Sequence, residues 1–304
     1  MNPSLKVPSA WSQLAIFLGM FGAAFMVYGV ITALVLKVNG FSIMSAADID
    51  WSNAKTVQLF KWLQAISSVV IFLIPAWLFS RIVFNLNHFY FLGFRKAYRL
   101  SMYLLAVLAL LFALPLVFWL GELNQQIPLP AWAANLEKDA GKQMEAFLKF
   151  NSSFDLAINI FIIALLPAIG EELCFRSVLQ RIMIHITKSP WAGIIITGFL
   201  FSLLHFQFEG FIPRMFLGVV LGALYWYSGS IWTAIMAHFT NNAVQVMVIS
   251  YAPKYVNENP ELPVYAAMVS GITVFAILYF FRKESGQSFQ QEYGVPEPTP
   301  ETAS

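Results

Sequence analysis

Apolar residues run along the chain in eight long blocks separated by short polar segments. The blocks cover roughly residues 12–36, 60–81, 100–121, 156–180, 191–207, 212–228, 231–251 and 263–281. Most hold about 18–25 residues, enough for a helix to cross a ~30 Å hydrocarbon core, and the fifth and sixth are short. The pattern predicts an all-α, polytopic integral membrane protein of about eight transmembrane helices. The first block is too long for a signal-peptide core and reads as a retained first helix.

Two connections are long, 38–59 and 122–153. In the second, a Pro-bounded turn precedes Leu136, Met144, Phe147 and Leu148, spaced helically among charges. That spacing predicts an amphipathic helix lying in the interface. After Lys283 the chain turns polar and carries three prolines, a composition expected to be disordered. The division is thus one transmembrane domain over 1–283 and a tail over 284–304, with chemistry sought in the helices of 156–251.

Composition strengthens the membrane reading. The chain is 59% hydrophobic and 11% charged, against about 45–50% and about 25% in soluble domains. One soluble core could not hide that apolar excess, so lipid is the expected solvent. A net charge of +2 makes no case for nucleic acid. The single cysteine, Cys174, excludes an internal disulfide and any Cys-based metal site, and its apolar neighbours predict an inert thiol. The segment 82–99 holds Arg95, Lys96 and Arg99 and no acid. Lys6, Arg81, Arg181, Lys188, Arg282 and Lys283 fall on the same side. The positive-inside rule then puts both termini in the cytoplasm.

The stretch LPAIGEELCFRSVL, residues 166–179, breaks the apolar pattern with Glu171, Glu172 and Arg176. A charge at the bilayer centre costs about 2.5–3.5 kcal/mol on insertion scales, so such groups are paired or functional. Glu172 and Arg176 stand at i, i+4, acid before base, and form a favourable pair on one helix face. Glu171 lies about 100° around the helix and is left as the free carboxylate. Two later blocks add His205, one turn after Phe201, and His238 with Asn242 at i, i+4. Asn241 points about 100° away from Asn242's face. Taken singly, each His fits a functional role and interhelical glue equally well, and Asn242 fits glue better, such glue being worth about 0.6–2 kcal/mol. Counted from the turn at 189–190, Glu171 and His205 come to similar depths, about 27 and 22 Å.

A buried carboxylate beside imidazole can take a proton from water, and imidazole with carboxamide can stabilise an oxyanion. Together they would hydrolyse a peptide without a nucleophilic Ser or Cys. The same two His and Glu171 could instead bind zinc, although no HExxH is present. A proton-coupled transporter also uses intramembrane Glu and His, but the polar groups cluster in one half with no matching set in the other. A non-enzymatic immunity or scaffold protein is the remaining alternative.

Glu171-Glu172-x-x-x-Arg176, Phe201-x-x-x-His205 and His238-x-x-x-Asn242, in that order on successive helices, resemble the three motifs of the CPBP family. These are the CAAX proteases and bacteriocin-processing enzymes, including the type II CAAX prenyl endopeptidase. The resemblance covers about 156–251 and implies an eight-helix intramembrane endopeptidase. It implies Glu171 as the base that activates water and His205 as the residue that helps hold it. His238 and Asn242 match the oxyanion hole, and Glu172 with Arg176 the supporting ion pair. It implies no cofactor, with a zinc-dependent version as the alternative. The expected partners are the lipid bilayer and a peptide or protein substrate at the membrane, either lipidated or a leader peptide. The expected location is a bacterial inner membrane.

Overall fold

A computed structural model describes residues 5–41, 49–84, 88–256, 258 and 260–293. Part of the 38–59 connection and residues 294–304 of the tail therefore lie outside the described residues. The eight apolar blocks all become helices. They are α1 (Ala10–Val38), α2 (Ala54–Val83), α3 (Ser101–Gln125), α5 (Ser153–Thr187), α6 (Pro190–Leu203), α7 (Phe211–Ser228), α8 (Ile231–Tyr251) and α9 (Val264–Glu284). Between α3 and α5 lies α4 (Ala131–Leu148), and after α9 comes the short α10 (Phe289–Tyr293). No strand is present among the described residues, only one isolated bridge between Leu5 and Phe84.

Six of these helices are long and apolar enough to cross a membrane by themselves. The two others have identifiable reasons. Helix α6 has 14 residues, about 21 Å. Helix α8 is diluted by His238, Asn241, Asn242 and Gln245. Helix α1 leaves Met26, Val30 and Leu34 exposed, whereas α7 is mostly buried. The exposed apolar side chains belong in lipid, because no water-facing surface would tolerate so many of them together.

Helix α3 packs against α7, α8 and α9, while α5 packs against α2, α6 and α8. The motif helices α6 and α8 thus both lie against α5. Close approach is bought by small residues. A Cβ on Gly170 would come within 3.0 Å of the Ser68 carbonyl oxygen, and one on Gly222 within 2.5 Å of Gln180 Oε1. The first lets α2 seat beside the two glutamates. The second leaves room for Gln180 Nε2 to donate to the Gly222 carbonyl at 3.0 Å.

Three segments widen to π-helical hydrogen bonding: Ser68–Leu73, Ile160–Leu165 and Leu173–Gln180. The first two run into Pro75 and Pro167, whose rings cannot accept regular α geometry behind them. The third has no proline and begins directly after Glu172. Such turns recur at functional sites.

Two expectations are adjusted here. The fifth block ends as helix at Leu203, not at 207, so His205 sits on the closing turn. The chain reverses there, with Phe206 at φ 52° and the Ser202 hydroxyl donating to the Phe211 carbonyl at 2.7 Å. The tail, expected to be disordered, contains α10, whose Glu292 and Tyr293 dock on the bundle. Helix α4 follows the amphipathic expectation: Phe147 and Leu148 are buried, Met144 packs on the minor core, and Leu136 stays exposed.

Candidate active site

Helix α5 supplies the charged centre. Arg176 Nε lies 3.1 Å from Glu172 Oε2, and both side chains are wholly buried. The i, i+4 pair read from the sequence therefore forms. The guanidinium carbon also sits 4.7 Å from the Phe201 ring centroid, so an aromatic face from α6 shares the positive charge.

Glu172 has a second role that helical spacing could not reveal. Its Oε1 lies 2.9 Å from His238 Nδ1 on α8. A carboxylate accepts only, so Nδ1 carries the proton and the imidazole is fixed in direction. The opposite nitrogen, Nε2, then points to Glu171, 3.9 Å from its Oε2. His238 is thus held between two adjacent glutamates, one sealed from the surface and one not. Glu171 remains 13% exposed at its side chain, while Glu172 and Arg176 are at 0%.

His205 reaches the same cluster through Phe201. Its Nδ1 lies 2.7 Å from the Phe201 carbonyl oxygen, so Nδ1 donates and the neutral ring keeps a lone pair on Nε2. The Phe201 ring meets His205 at 4.9 Å and His238 at 5.9 Å between centroids. Glu171, Glu172, Arg176, His205 and His238 are thereby gathered from three helices. Asn242 joins one turn after His238, half-buried, with no direct bond to Glu171 or His205 among the described residues. Its Oδ1 accepts from Asn241 Nδ2 at 3.3 Å. That bond leaves the Asn242 amide free to offer its N–H groups elsewhere.

The sequence reading set Asn241 aside and did not single out Arg214. Asn241 is buried and turns the Asn242 amide, although a helical wheel separates the two. Arg214, in the first turn of α7, donates to Gln207, from Nη1 to the backbone oxygen at 3.1 Å and from Nη2 to Oε1 at 2.9 Å. No carboxylate comes within ion-pair distance of it among the described residues. A lone arginine inside an apolar block was the available signal. No group of three His, Cys, Asp or Glu side chains among the described residues is arranged to hold a metal ion.

Residues 153–244 match the family model described as type II CAAX prenyl endopeptidase Rce1-like. No curated protein and no solved structure matches the chain. The matched segment runs from the first residue of α5 to two residues beyond Asn242, so it contains the whole cluster. With its apolar helices, the protein is an integral membrane protein. Over this segment, which holds the charged centre and both histidines, the chain is similar to the type II CAAX prenyl endopeptidase Rce1-like family, a family of membrane proteases.

Proposed function

We propose that the protein is an intramembrane endopeptidase in which Glu171 activates water. The observation that carries this reading is the graded burial of the two glutamates on either side of His238. Glu172 is sealed and spends its charge on Arg176 and His238. Glu171 keeps access, and its nearest basic partner is His238 at 3.9 Å. One carboxylate supports the site, and the other is free to react.

In this mechanism Glu171 takes a proton from water as the water oxygen bonds to the scissile carbonyl carbon. The lone pair on His205 Nε2 accepts the water's other hydrogen bond and directs the attack. The carbonyl oxygen becomes an oxyanion, stabilised by the N–H groups of the Asn242 amide one turn from His238, which lines the same side of the site. Glu171 then returns the proton to the leaving nitrogen as the C–N bond breaks. The substrate is a membrane-associated or membrane-delivered peptide or protein, lipidated or bearing a leader segment. The basic ends of α2, α5 and α9 and the acid-free segment 88–99 favour a cytoplasmic location for that end of the bundle, and with it both termini.

The test compares membrane peptides, by mass spectrometry, from cells making the wild type or Glu171→Gln. The variant keeps shape and hydrogen bonding but cannot take the proton, so one or more peptides should accumulate uncleaved while the protein inserts and melts normally. Wild-type turnover by purified Glu171→Gln would remove Glu171 as the base. On the same substrate, Asn242→Ala should lower turnover about 10²–10³-fold with little change in binding. Exhaustive chelation should leave activity in place. Loss on chelation with recovery by stoichiometric zinc would assign Glu171 and the two histidines to a metal instead.

A further inference from the structure

Three donors converge on one carboxylate at the end of the bundle where α5 and α9 finish. Arg181 Nη1 pairs with Glu292 Oε1. Arg95 Nη2 lies 3.4 Å and Gln287 Nε2 3.0 Å from Glu292 Oε2. Glu292 is the only carboxylate within ion-pair distance of either arginine among the described residues. Each guanidinium also has contacts within the bundle. Arg95 Nε donates to the Gly229 carbonyl and lies over the Tyr90 ring. Arg181 lies near the rings of Phe84 and Phe91, which stack on each other at 4.0 Å. The arginines thus belong to the bundle, whereas their anion, Glu292, lies eight positions beyond the end of α9 on a five-residue helix.

The seat is not tightly filled. A cavity of about 30 Å³ adjoins it, lined by Arg181, His185, Glu292 and Tyr293 with the rings of Phe79, Phe84 and Phe91. A second of about 10 Å³ lies between Arg95, Arg181 and Gln287. Removal of the Glu292 carboxyl would join these spaces beside three N–H donors. Two guanidiniums and an amide suit an anion with three oxygens better than one with two, and arginine forks match phosphate geometry. The position fits as well. Arg181 is in the last two turns of α5 and Arg95 six residues before α3, at the level where helix ends meet lipid headgroups.

We propose that Arg95, Arg181 and Gln287 form a phosphate-binding site that Glu292 fills from within the chain and vacates when α10 lifts. The tail acts as a tethered competitor, so its removal raises the apparent affinity of the site for phosphate. Because Arg181 lies on α5, exchange of the anion reports to the helix that carries Glu171.

The full chain in phosphatidylcholine nanodiscs is the reference, with the wild type, Glu292→Gln and Arg95→Gln/Glu292→Gln compared by melting temperature. Glu292→Gln should melt below the wild type. Phosphatidylglycerol in the disc should then raise it by about 5 °C, with a smaller rise in the wild type and none in the double variant. The same pattern with added inorganic phosphate, but not with phosphatidylglycerol, identifies free phosphate as the ligand. If Glu292→Gln fails to fold, Tyr293→Ala serves instead. It removes the hydroxyl bond to the Arg181 carbonyl and the ring contact with His185, and should show an intermediate gain. Equal shifts in all variants, or none with either phosphate source, overturn the proposal and leave Glu292 as a structural counter-ion.

Discussion

Helix α5 carries two arginines five residues apart, and they are neutralised in opposite ways. Arg176 finds Glu172 one turn earlier on the same helix, with both side chains at 0% exposure. Arg181 finds Glu292, 111 residues later, with both at 12%. The first pair forms as soon as the helix forms and never has to be assembled from distant parts. The second exists only after the tail has crossed the end of the bundle. The local pair also fixes a neighbour, because its carboxylate accepts from His238 Nδ1. The distant pair suits a contact that can open, because its anion rides on a short terminal element. A buried charge needs a partner in either case, but permanence depends on whether that partner is covalently nearby.

The comparison breaks first at Arg176. Arg176→Ala strands Glu172 in a sealed site, and removal of one partner of such a pair costs about 3–5 kcal/mol. We expect poor accumulation and the lowest melting temperature of the variants discussed; a wild-type melting temperature would show that the pair carries no such load. Replacing both members, as Glu172→Leu/Arg176→Met, should recover much of that stability. It should not recover peptide cleavage, because His238 Nδ1 would lose its acceptor. Recovery of cleavage would reduce Glu172 to a counter-ion.

The distant pair should cost less. Glu292→Gln leaves two partly accessible guanidiniums without an anion, a loss of about 1–3 kcal/mol. It also has a distinctive pH dependence. Burial alone would raise the Glu292 carboxyl, but the charges of Arg181 and Arg95 outweigh it and hold it at about 2, below its usual 4.5. A lowered carboxyl stabilises the fold above its unfolded value and loses that contribution as pH falls. The melting gap between wild type and Glu292→Gln should be flat above about pH 5, and should close as pH falls from 4.5 towards 2. A gap unchanged throughout that range would mean the ion pair is not its source.

The smallest effect is expected at Arg99, whose 2.9 Å pair with Glu284 joins α9 to the same end of the bundle. Arg99 is 64% exposed, so screening by water and salt leaves about 0–1 kcal/mol in Arg99→Ala. A shift as large as that of Glu292→Gln would show that location at this end, rather than burial, sets the scale.

Much of the fold was legible in the sequence because membrane helices announce themselves by length and apolarity, with no need for a partner. All eight blocks became helices, and the amphipathic segment became α4. The ends were less legible. Helix α6 stops at Leu203 because the chain turns under Ser202 and Phe206, and the tail forms α10. Proline-preceding π segments leave a trace in sequence, but the one at 173–180 does not.

The candidate site divides along the same line. Sequence by itself determined the pairing of Glu172 with Arg176, the separation of Glu171 from that pair, and the spacing of His238 and Asn242, because each follows from a 3.6-residue period within one helix. Tertiary structure alone decided that Glu172 also grips His238, that Phe201 sits between two imidazoles and a guanidinium, and that Asn241 orients Asn242. It likewise decided that Arg214 binds Gln207 and that Glu292 neutralises Arg95 and Arg181. The physical reason is range. Helical periodicity specifies which side chains share a face over a few turns, while contacts between helices depend on packing that brings together residues tens to hundreds of positions apart.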